Sequence, residues 1–155
     1  MLADELFKQW AILDVEFIRT TSTHRCIRKL CIKTRLNKVM EAEFYPCRRY
    51  KEIEEKYKQS FRYCQKYIHK LSYSPYKYSP KCTKALLLLR QFIIDNDVEI
   101  IFYKGGTIER QMCHTLDVMS LNIEAFGVKK AQSHVPREEV DCYFNQLNKM
   151  MYVNL

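Results

Sequence analysis

Apolar and polar residues alternate along AILDVEFIRT, residues 11–20, a period of two in a segment rich in β-formers, which predicts a strand. RCIRKLCIKT (25–34) and VMEAEFY (39–45) repeat the signature around a turn at 35–38, so the first third of the chain predicts an antiparallel meander that Pro46 ends. The period then changes. Ile53, Tyr57, Phe61, Cys64, Ile68 and Leu71 recur every three or four positions and predict an amphipathic helix over 50–71, with a break near Ser60. SYSPYKYSP, 72–80, is a turn-rich loop with two prolines. A second helix, capped by Thr83 and running to Asn96, is apolar almost all round, as in a helix packed on a sheet. VEIIFY at 98–103 is a nearly continuous apolar run, the pattern of a buried parallel strand. A helix over 107–116 follows, then a strand within 117–126. The last helix starts at Pro136, with Glu138 and Glu139 in its positive first turn and Val140, Phe144, Leu147 and Met151 on one face. This order predicts a single α/β domain over 1–155, with a mixed sheet and helices on both faces.

Composition narrows the class. With 155 residues, 47% of them hydrophobic, the chain is long enough to bury a core. No stretch approaches the ~18 apolar residues of a membrane span, and MLADELFKQW carries acids where a signal peptide needs an apolar run, so the expected location is intracellular, cytoplasmic or nuclear. Seven cysteines without a CxxC pair indicate neither a disulfide framework nor a four-cysteine zinc site, and read as buried free thiols.

The net charge of +8 is unevenly spread: residues 47–90 hold 12 basic and three acidic side chains, whereas 91–155 hold six and nine. Eight of the 11 tyrosines, counting Tyr45 at its edge, are interleaved with that basic stretch. Basic side chains neutralise phosphates and aromatic faces stack on unpaired bases, so a single-stranded nucleic acid is the expected partner; a solvated basic helix with inward tyrosines is the plainer alternative.

YKGGTIER, 103–110, holds two of the three glycines. It is neither a P-loop, which needs a longer glycine-spaced turn ending in Lys-Ser or Lys-Thr, nor a dinucleotide fingerprint, which needs a third glycine. The sharpest chemistry lies elsewhere. Asp14 and Glu16, two apart on a strand, share one face among apolar neighbours, where two carboxylates are costly unless a cation sits between them. The plainer reading is an edge strand with an acidic, solvent-facing side.

The Asp-x-Glu strand, two further antiparallel strands, a helix, a strand, a helix, and then a histidine five residues before an acid on the last helix resemble the DEDDh exonucleases of the ribonuclease H-like fold. The likeness runs over residues 11–150. Lys104, Gly105, Gly106, Thr107, Ile108 and Glu109 fall where that family's second motif usually reads His-Asn-x-x-Phe-Asp, and HVPREE places His134 five before Glu139. The resemblance implies a five-stranded mixed sheet, three antiparallel strands first and then parallel ones, and a 3′-5′ exonuclease that releases nucleoside 5′-monophosphates. It implies that Asp14, Glu16, Glu109 and Glu139 hold two Mg²⁺ or Mn²⁺ ions, with His134 as general base. Phe17, Lys104, Gly105, Lys129 and Lys130 become the expected nucleic-acid contacts, the last two on a mobile segment before the base. Both helical acids are Glu where the family usually carries Asp, one methylene longer. Asp141, two residues past Glu139, points away on a helix and is a poor substitute. Two alternatives follow. One is a catalytically inactive nucleic-acid-binding module of the same fold. The other resembles the Maelstrom domain, with zinc held by Cys113, His134, Cys142 and an acid such as Glu16.

Overall fold

A computed structural model describes residues 9–22, 24–45, 50–63, 66 and 84–152. Strands β1 (Trp10–Thr21), β2 (His24–Thr34) and β3 (Val39–Glu43) form the antiparallel meander, and β4 (Ile100–Tyr103) and β5 (Met119–Asn122) run parallel to β1. The sheet order is β3-β2-β1-β4-β5, the mixed ribonuclease H-like layout expected from the sequence. β1 is therefore the central strand, which removes the edge-strand reading of its two acids.

The helices are α1 (Glu55–Tyr63), α2 (Lys84–Asp95), α3 (Thr107–Thr115) and α4 (Pro136–Tyr152). They cover both faces of the sheet, so β4 and the first residues of β1 are buried on two sides and read as apolar runs. Trp10 and Ile12 face α4 and pack with Phe102, Val140, Phe144 and Leu147. Ala11, Leu13 and Val15 face the other way, with Ala85, Leu89, Ile108 and Met112 of α2 and α3. The rings of Trp10 and Phe144 lie 5.3 Å apart and tilted, tying the central strand to the last helix. Pro136 opens α4 as its first residue, where a missing N–H costs nothing.

Two helical expectations change. The single helix over 50–71 is instead a 3-10 turn (Tyr50–Glu52), a break, and then α1. The break has a cause: the N–H of Glu54 donates to the carbonyl of Thr20 at 2.8 Å, and Ile53 is drawn into the core. Beyond 63, apart from residue 66, that expectation, the 72–80 loop and the Thr83 cap lie outside the described residues, as does half of the basic, tyrosine-rich stretch. Helix α2 is apolar all round but buries only Ala85 and Leu89 fully, while Leu87 and Ile94 are 62% and 56% exposed. Among the described residues no helix is long and apolar enough to cross a membrane.

Cys31, Cys113 and Cys142 are free, and burial pushes the thiols of Cys31 and Cys113 up to about 12. Cys26 departs from the expectation of free thiols and is disulfide-bonded.

Candidate metal centre

β2 and β3 lie on one side of β1, and the chain then returns to lay β4 and β5 on the other. Open α/β sheets form a crevice at such a reversal, at the carboxyl ends of the strands. β4 pairs with β1 only from Trp10 to Ile12, so the backbone of β1 beyond that point has no strand on its β4 side. On the β2 side the register slips between Glu16 and Phe17, a bulge that sharpens the local twist. Asp14 and Glu16 lie in this stretch, between the last β4 pairing and the bulge.

Three of the expected acids converge. One carboxylate oxygen each from Asp14, Glu16 and Glu139 lie within 4.8 Å of one another. Strand alternation carries the first two onto the α4 face, and the first turn of α4 brings Glu139 down onto them, itself 6% exposed. Burial, the Glu139 carboxyl packed against it, and the charges of Glu139, Glu16 and Glu109 hold the Asp14 carboxyl well above its usual range. Glu16 is pushed up to about 7, chiefly by burial and then by Glu139 and Glu109, with Lys29 and Lys130 opposing.

Glu109 lies outside that group; it comes from α3, on the opposite side of the sheet, near enough for its charge to raise Asp14 and Glu16. Its Oε1 accepts a 3.2 Å hydrogen bond from the N–H of Val15, the donor left over where β4 ends. Burial pushes its carboxyl up to about 7, against the pull of its own backbone N–H and of the Val15 N–H. Two buried carboxylate oxygens, Asp14 Oδ2 and Glu109 Oε2, have no hydrogen-bond partner. Buried acceptors are seldom left unmatched. An all-oxygen donor set with unspent acceptors suits a hard divalent cation.

The other expected residues are placed as follows. His134 is exposed in the segment leading into α4 and has no hydrogen bond or ion pair among the described residues. Three hydrogen bonds tie that segment to α4: Gln146 accepts from the N–H of Lys129 (2.8 Å) and donates to its carbonyl (2.9 Å), and the N–H of Ala131 donates to the Tyr143 hydroxyl (3.4 Å). The Lys129 and Lys130 side chains remain exposed, Lys130 close enough to Glu16 to oppose its protonation. Lys104 forms an ion pair with Glu124 at 3.4 Å, and the N–H of Gly105, at φ +74°, donates to Asn122. Both therefore brace the glycine turn against the end of β5. Phe17 lies under the Arg25 guanidinium, 5.3 Å from it. Asp141 points away from the cluster and pairs with Lys33 and Arg137.

The zinc alternative does not assemble. Cys113 sits in the core under α2 and α3, whereas Cys142 packs against the core under α4, so the sheet lies between them. Among the described residues the only group of three or more potential metal ligands is the carboxylate one.

Sequence reasoning missed Arg25. It comes from β2, hydrogen-bonds Thr107 and Gln111 of α3, and its charge opposes the rise at Glu109. Nothing in the local pattern marks it, since its partners are more than 80 residues away. Comparison with protein-family models finds no match, and comparison with curated proteins finds none either.

Proposed function

We propose that this chain is a metal-dependent 3′-5′ exonuclease acting on single-stranded nucleic-acid ends. The observation that carries the reading is the meeting of Asp14, Glu16 and Glu139 within 4.8 Å, with unpartnered oxygens on Asp14 and Glu109. Asp14, Glu16 and Glu139 would hold the cation, with Glu109 completing the set from α3. Bound there, Mg²⁺ or Mn²⁺ supplies activation of a water and stabilisation of the departing 3′-oxygen.

The protein's own part is to keep three to four carboxylates close in a poorly solvated crevice. Without a cation, burial and crowding raise the Asp14, Glu16 and Glu109 carboxyls toward their protonated forms, so a cation would bind in competition with protons. The Val15 N–H fixes one oxygen of Glu109 and leaves the other for a ligand. Lys29 and Lys130 limit the negative charge around Glu16. His134, exposed and five residues ahead of Glu139, is the side chain assigned to take the proton of the attacking water.

The test is a 3′-to-5′ ladder on a 5′-labelled single strand, dependent on Mg²⁺ or Mn²⁺ and lost in Asp14→Ala and Glu109→Ala. Binding without metal-dependent laddering would make the protein a nonenzymatic nucleic-acid-binding module. Laddering retained after both substitutions would remove the site assignment.

A further inference from the structure

We propose that Gly106 is a positioning residue for Glu109: the glutamate folds back over the glycine, and only a residue without a side chain lets its carboxylate stay there. The functional meaning rests on the metal-centre reading above; the steric claim does not. Gly106 has φ −72° and ψ 147°, ordinary extended backbone that any residue adopts. Conformational freedom is therefore not the reason for a glycine here. Space is. A Cβ built on Gly106 would overlap Glu109 Oε2 outright and stand 3.0 Å from Cδ and 3.3 Å from Oε1.

The crowding follows from helix geometry. Gly106 is the N-cap of α3 and Glu109 the third residue inside it, and helical side chains lean toward the N-terminus, so the glutamate lies over the cap. Gly106 itself makes no side-chain cap. The Glu109 carboxylate lies over that cap, and its Oε1 accepts from the N–H of Val15 at 3.2 Å. That bond fixes one oxygen and aims Oε2, the buried oxygen without a partner. A methyl at residue 106 need not unfold the turn, because the glutamate is flexible. It would swing the carboxylate off the Val15 N–H and turn Oε2 out of the crevice.

The experiment compares wild type, Gly106→Ala, Glu109→Asp and the double variant. Mn²⁺ affinity is measured by calorimetry, and Val15 amide hydrogen exchange by NMR on metal-free protein. Gly106→Ala is expected to lower Mn²⁺ affinity about tenfold or more and to speed Val15 exchange. In the Glu109→Asp background, whose shorter side chain does not cover residue 106, the same change should cost less than about twofold. Equal losses in both backgrounds would mean a general disturbance of the turn and overturn the proposal. So would Gly106→Ala with unchanged Val15 exchange. A wild-type protein that binds no Mn²⁺ would remove the metal reading, while Val15 exchange would still decide whether Gly106 positions Glu109.

Discussion

The two halves of β1 are built to opposite rules. From Trp10 to Ile12 the strand is paired on both edges, and its side chains are fully buried and apolar. From Asp14 to Glu16 the β4 edge is open and one face carries two acids. The first half shows what a closed ladder does: every backbone group is matched, so only apolar contact remains to be made. The second shows what an ended ladder makes available, a spare backbone donor at Val15 and a crevice that acids from α3 and α4 can enter. Stability is concentrated in the first half, and candidate chemistry in the second.

Substitutions on either side should separate these roles. The largest effect is expected from Trp10→Ala, which empties the centre of the core under α4 and should cost about 3–5 kcal/mol in denaturant unfolding. An unchanged unfolding midpoint would contradict the core assignment. Asp14→Asn should do the reverse. Exonuclease activity and Mn²⁺ affinity should fall at least about a hundredfold, while the metal-free protein at pH 8 melts no lower than wild type, because a crowded buried charge has been removed. A fall in melting temperature comparable to that of Trp10→Ala would place Asp14 with the structural half.

The pH dependence follows from the raised carboxyls. Glu16 and Glu109 stand near 7 in the fold against 4.5 ordinarily, and Asp14 is raised as well. Such groups bind protons more tightly folded than unfolded. Their stabilising contribution is complete below 4.5 and is lost as pH rises through about 7. The metal-free melting temperature should therefore drop across that window, and saturating Mn²⁺ should lessen the drop by replacing the protons. Identical curves with and without Mn²⁺ would count against the centre. The smallest effect belongs to Lys29→Ala, which removes a partly exposed pair with Glu43 and should cost less than about 1 kcal/mol. It should also raise the Glu16 pKa further, which carboxyl NMR would read directly.

Much of this was legible in one dimension, because strands and helices print their periods on the chain. The meander, the buried run that became β4 and the start of α4 at Pro136 follow from pattern alone. Asp14 and Glu16 were legible as acids in an apolar strand. Glu109 and Glu139 were located by resemblance to a motif order. The helix break at Ile53 and Glu54 was not legible, because a hydrogen bond to Thr20 makes it. The exposed side of α2 was hidden for a similar reason: an apolar residue does not state whether anything covers it.

The sequence by itself determined the element order, the alternation that puts Asp14 and Glu16 on one face, and the supply of carboxylates. Tertiary structure alone decided that β4 stops at Tyr103 and leaves the Val15 N–H without a β4 partner, that the sheet divides Cys113 from Cys142, and that Glu109 lies over Gly106. The physical reason is range. Periodicity records what each residue does relative to its near neighbours, whereas a metal centre depends on distances between elements that meet only when the sheet closes.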